Sequence, residues 1–140
     1  MKRLILITSL LLLPLYALAT DNTVLVVSNK DCKINSLNRN QVFDLYLGRI
    51  QSIDGTRINL LDIKQNEQLR KDFYQYFTQM SLPQLNAYWA RLQFTGKVFP
   101  PNALTDQRDV LEYIGSHSNS IGFIYAEELS SDVKVLCCDK

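Results

Sequence analysis

The sequence predicts a mixed α/β domain, and three observations carry that prediction. Residues 23–28 (TVLVVS) form a continuous β-branched run, the composition of a strand covered on both faces. Several later segments repeat apolar residues at helical spacing behind recognisable caps. The predicted order is strand and helix, a second strand, three helices, then two strands, an order that suits helices packed on a mixed sheet.

Ahead of the first strand, Lys2 and Arg3 precede an apolar stretch over residues 4–18 and the small-x-small triplet Ala17-Leu18-Ala19. This is the pattern of an export signal cut after Ala19. Its length of about 15 residues is short of the roughly 20 that span a bilayer. An uncleaved N-terminal anchor is the alternative. No cysteine follows the cut, which argues against a lipid anchor. Residues 1–19 are thus expected to be a signal peptide, and residues 20–140 one exported, periplasmic domain with a single core.

After the first strand, Asn38 is placed to cap a helix, with Gln41 three residues on completing a capping box and Leu37 and Val42 forming a staple. Val42, Phe43, Tyr46 and Leu47 make its apolar face, and Gly48 can end it in a left-handed cap. Asp54-Gly55 marks a turn, and residues 57–63 (RINLLDI) read as a second strand. Leu69, Phe73, Tyr76, Phe77 and Met80 predict a helix from about residue 66 to 79. Ser81, Pro83 and Gln84 open the next helix, whose buried face is Leu82, Leu85, Trp89 and Leu92 and whose end is Thr95-Gly96. Pro100-Pro101 begins a loop. Thr105 or Asp106 caps a short helix bearing Val110, Leu111 and Ile114, stopped by Gly115. Residues 120–125 (SIGFIY) and 133–138 (VKVLCC) read as the last strands.

Charge narrows the partners. Without Lys2 and Arg3 the 15 Lys+Arg fall to 13 against 14 Asp+Glu, a net of about −1. That balance argues against nucleic acid or an anionic membrane surface as a partner. Contact with the membrane is expected only through the signal peptide before cleavage. In an oxidising compartment Cys32 is expected to bridge Cys137 or Cys138. Such a link would close a loop of about 105 residues, worth up to roughly 4–5 kcal/mol in the chain-entropy model. Adjacent cysteines without a nearby histidine do not have zinc-site spacing, so no metal and no cofactor is expected.

Catalytic constellations are missing from the sequence. His117, the single histidine, falls in a polar loop, and Glu127-Glu128 reads as a solvated turn. No nucleophile elbow, HExxH, P-loop or dinucleotide fingerprint occurs, so the chain is read as a non-enzyme. Trp89 beside Tyr88 could form an aromatic platform, but its spacing with Leu85 and Leu92 makes it core. The chemistry left is that of helix N-termini, which bind anions through free amides and a partial positive charge. The start of the second helix is the candidate. Lys64 and Arg70 favour it, Asp62 and Glu67 oppose it, and ordinary capping without a ligand is the alternative.

Taken in order, the segments 37–48 (LNRNQVFDLYLG), 53–58 (IDGTRI), 70–74 (RKDFY), Tyr88-Trp89, 94–97 (FTGK) with the following prolines, 119–124 (NSIGFI) and 133–136 (VKVL) resemble small phosphate-binding-like proteins. These belong to the type 2 periplasmic binding protein superfamily and are related to the substrate-binding component of the phosphate ABC transporter. The resemblance implies a single lobe of that fold, a small oxyanion such as phosphate as ligand, a membrane permease or other envelope protein as partner, and a ligand site at helix N-termini: Asn38, Asn66, Gln68 and Arg70. In the full proteins two lobes clamp the anion, and this chain has room for one. Its residues 64–70 also lack the family's Gly/Ser/Thr-rich anion loop. The second expectation is therefore an envelope interaction module that keeps the lobe and has lost ligand binding.

Overall fold

The computed structural model describes residues 22–137, so the expected signal peptide, its cleavage site and Cys138 lie outside the described residues. The elements are β1 (Val24–Asn29), α1 (Arg39–Tyr46), β2 (Ser52–Ile53), β3 (Thr56–Arg57), β4 (Asn59–Ile63), α2 (Glu67–Thr78), α3 (Leu82–Gln93), β5 (Asn102–Leu104), α4 (Gln107–Ser116), β6 (Ser120–Tyr125) and β7 (Val133–Cys137). Five strands form a mixed sheet in the order β5-β4-β6-β1-β7. β4 runs parallel to β5 and β6, and β1 runs antiparallel to β6 and β7.

Caps set the helices. Asn38 and Ser81 each form a complete capping box, with Gln41 and Gln84 respectively, and Asp106 accepts from the Arg108 and Asp109 amides. Each box satisfies two orphan donors at once. Gly48 follows α1 at φ +70°. A Cβ there would stand 2.5 Å from Val98 Cγ1 and 2.9 Å from Trp89 Cη2, so the position needs glycine for space as well as for φ.

Alternation along β6 builds three layers. Phe123 points to one face, where it stacks on Phe73 of α2 at 3.9 Å and 6°, with Tyr46 of α1 edge-on to Phe73 at 4.6 Å. Gly122 points to the other face, where α4 packs so closely that a Cβ would meet Val110 Cγ1 at 2.5 Å. The sheet is therefore sandwiched between α1 and α2 on one side and α4 on the other.

Four expectations change. The strand expected over residues 57–63 is two pieces: β3 pairs with β2 across an Asp54-Gly55 turn with both φ positive, and β4 begins at Asn59. A third parallel strand, β5, lies where a loop was expected; at three residues it is too short to show periodicity. α4 runs through Gly115 to Ser116. In α2, Tyr76 is 43% exposed, while Tyr74, off the expected stripe, is fully buried.

The Cys32 bridge is also corrected. Cys32 is buried and its thiol is free. The register explains why: Asn29, at the end of β1, pairs with Val133, and Val26 pairs with Cys137. Cys32 follows Asn29, and its carbonyl accepts from Lys134 Nζ at 2.6 Å. The strand rise of about 3.3 Å per residue puts the Lys134 and Cys137 positions roughly 10 Å apart. A disulfide needs its Cα atoms within about 7 Å.

Candidate functional site

Because β4 and β5 are parallel, their carboxyl ends lie side by side, and the chain leaving β4 turns directly into α2. The crevice outside the carboxyl ends of such strands is where open α/β sheets hold ligands. The Lys64 and Gln65 amides donate to the Leu104 and Thr105 carbonyls, both at 2.9 Å, which ties this connection to the end of β5. Asn66 then caps α2 by accepting from the Leu69 amide at 3.1 Å.

A carboxylate occupies the centre of this end. Asp62 is 4% exposed. Its Oδ1 accepts from the Ile63 amide at 2.7 Å, both its oxygens accept from Arg70 Nε at 3.1 Å, and Oδ2 accepts from the Tyr74 hydroxyl at 2.9 Å. Burial pushes the Asp62 carboxyl above its ordinary pKa, and the Arg70 charge, the Ile63 amide and the Tyr74 hydroxyl pull it back only in part. Burial and then the Asp62 charge hold the Tyr74 phenol well above its usual value, so it stays a donor. The neighbouring Tyr46 hydroxyl donates to the Leu61 carbonyl at 3.0 Å. Further out, Asp72 accepts from Gln68 Nε2 at 2.7 Å and from the Tyr125 hydroxyl at 2.8 Å. The Tyr125 phenol is pushed up to about 12, by burial first and then by Asp72 and Glu127.

The structure thus brings Asn66, Gln68 and Arg70 together at the start of α2. It places Asn38 elsewhere. Arg39, next to Asn38, donates to the Tyr76 carbonyl and lies 4.5 Å from the Tyr76 ring centroid, so α1 begins where α2 ends. At 1.5 Å rise per residue, 12-residue α2 separates the two N-termini by roughly 15–18 Å. Each of the four side chains already has an intramolecular partner. Arg70 is neutralised by Asp62, and Glu67 sits in the first turn of α2, where it complements the helix dipole. What the arrangement does chemically is clamp β4 to α2. Asp62 was legible as a lone acid in an apolar strand, but nothing local marked Tyr74 or Tyr46 as its neighbours.

Trp89 is core, 7% exposed. His117 is an exposed loop residue stacked on Tyr113 at 3.8 Å. Among the described residues no group of three His, Cys, Asp or Glu could hold a metal ion, and no helix is long and apolar enough to cross a membrane. At the opposite edge, by the amino ends of β4 and β5, a groove of about 640 Å³ is lined by Ile50, Arg57, Ile58, Leu60 and Phe99 among others.

Solved structures share this architecture. An ABC-type phosphate transport receptor from Vibrio cholerae matches 81% of the chain with a TM-score of 0.64 at 15% identity. A phosphate ABC transporter substrate-binding protein with bound phosphate from Clostridium perfringens matches the same share at 0.63 and 13%. A possible phosphate-binding protein from Planctomyces limnophilus DSM 3776 matches at 0.59 and 10%. The fold is that of one periplasmic-binding-protein lobe. The chain spans 45%, 44% and 40% of these proteins' lengths, which agrees with one lobe of two. No family model and no curated protein matches the sequence.

Proposed function

We propose that the protein is an exported, periplasmic, solute-binding-like lobe associated with ABC-type transport, with phosphate or another small oxyanion as its ligand. One observation carries the reading: the likeness to phosphate receptors over 81% of the chain. It acts as a binder and not as an enzyme. One lobe by itself gives a ligand one wall and leaves the other side in water, where charge–charge attraction is weak. Affinity in the millimolar range follows, about 4 kcal/mol. Thermal unfolding with phosphate, sulfate and arsenate tests this. Ligand at about ten times its Kd adds about 1.4 kcal/mol of stability and raises Tm. A flat response across the panel at tens of millimolar removes the oxyanion reading.

The Asp62–Arg70 pair favours a second reading, an envelope interaction module that keeps the lobe without its ligand. Asp62 occupies the cation an oxyanion would use, and two buried like charges repel. An Asp62→Asn variant separates the two. Oxyanion binding by both proteins supports the first reading; binding gained only on substitution supports the second, with its partner sought among envelope proteins.

A further inference from the structure

We propose that the loop over residues 94–101 is a docking tip for an anionic lipid surface. Phe94 is 95% exposed and Phe99 is 77% exposed, far more than any other large hydrophobic among the described residues. Between them the backbone turns at Gly96 (φ +65°), where nothing lies within 4 Å of the place a Cβ would stand, so the turn projects into open space. A protruding tip suits a soft, penetrable partner.

Charge selects the lipid. From residue 73 to residue 105 the sequence has no Asp or Glu, although the chain carries 14 elsewhere. Within that stretch Lys97 lies between the two phenylalanines, and Arg91, at i−3 from Phe94, shares its side of α3. Arg57 lines the groove with Phe99. All three cations are exposed, and among the described residues none is in an ion pair. Aromatic rings flanked by unpaired cations are the composition that settles at the headgroup level of an anionic bilayer. The near-zero net charge hides this, because the acids lie on other segments; Asp54, in the β2–β3 turn, is the acid nearest Arg57 in sequence. The inference does not depend on oxyanion binding.

Co-sedimentation of the protein, as recovered from cells, with phosphatidylglycerol and phosphatidylcholine vesicles tests it. The readout is the difference from variants, so any contribution of the apolar residues 4–18 cancels. The Phe94→Ser/Phe99→Ser double variant should bind phosphatidylglycerol vesicles at least tenfold more weakly. Arg91→Gln/Lys97→Gln should lose both the preference for phosphatidylglycerol and the sensitivity to salt. Unchanged emission from Trp89, the single tryptophan, verifies folding. Binding that is absent, or equal in native protein and double variant, overturns the proposal. Self-association abolished by the double variant without vesicle binding also overturns it and assigns the loop to a protein interface.

Discussion

The start of α2 and the loop over residues 94–101 are built from the same materials, aromatic rings and cations, and use them oppositely. At α2 the Arg70 guanidinium meets Asp62, the Tyr74 and Tyr46 hydroxyls both donate, and the rings pack against Phe73 and Phe123. At the loop, Lys97 and Arg91 of the adjoining last turn of α3 have no carboxylate partner among the described residues, and Phe94 and Phe99 stand in water. Composition therefore does not decide whether such a cluster stabilises or binds; desolvation does. The sharpest way to break the contrast is Arg70→Ala. The Arg70 side chain is 23% exposed and that of Asp62 is 6%. Removing one partner of a buried pair costs about 3–5 kcal/mol, because the other charge is left uncompensated. Urea unfolding would show that loss. A variant within about 1 kcal/mol of the native protein would mean that water already screens Asp62.

Gly48→Ala probes the seam between the two regions, since Gly48 follows α1 while lying against Val98 within the loop and Trp89 in α3. Overpacking costs about 1–3 kcal/mol, and a left-handed residue with a Cβ about 1–2 kcal/mol. A loss of about 2–5 kcal/mol is expected by thermal unfolding, together with a change in Trp89 emission as the indole yields. Unchanged emission would show that Val98 alone moves, and with it only the loop.

Most of the fold was legible locally. The capping boxes at Asn38 and Ser81, the β-branched run of β1 and the apolar segment of β6 are short-range signals, and each forms where it was expected. Order within the sheet was not legible, because β4, β5 and β6 pair across long separations and β5 offers only three residues. Tyr74 shows the same limit at one residue. Helical spacing from Leu69 and Phe73 favoured Tyr76, yet Tyr74 is buried because Asp62, twelve positions earlier, receives its hydroxyl. The candidate residues at α2 were found by type and position, but their intramolecular partners, which set what they can bind, are tertiary facts.

Acid titration sharpens the contrast with a smaller effect. The folded-state pKa of Asp62 is raised, mainly by burial, so the native state holds its proton to higher pH than the unfolded chain does, near 3.9. Between these two values the native state binds more protons, and this group's contribution to stability falls as pH rises. Asp62→Asn should remove that segment of the stability–pH profile. An unchanged slope in urea titrations from pH 3.5 upward would assign the profile to other carboxylates.

The smallest expected effect is on the other side of the comparison. Phe94→Ser/Phe99→Ser deletes two aromatic rings, a change that would cost about 3–5 kcal/mol for each one in a core. Here both rings are already in water in the folded state, so unfolding exposes almost no further apolar area from them and the transfer free energy nearly cancels. The double variant should unfold within about 0.5 kcal/mol of the native protein, as exposed substitutions generally do. A loss above about 2 kcal/mol would mean that the loop folds back onto the groove beside Ile58 and Leu60, burying Phe99 in solution. The contrast with the start of α2 would then collapse, because both regions would be spending their aromatic rings on the fold.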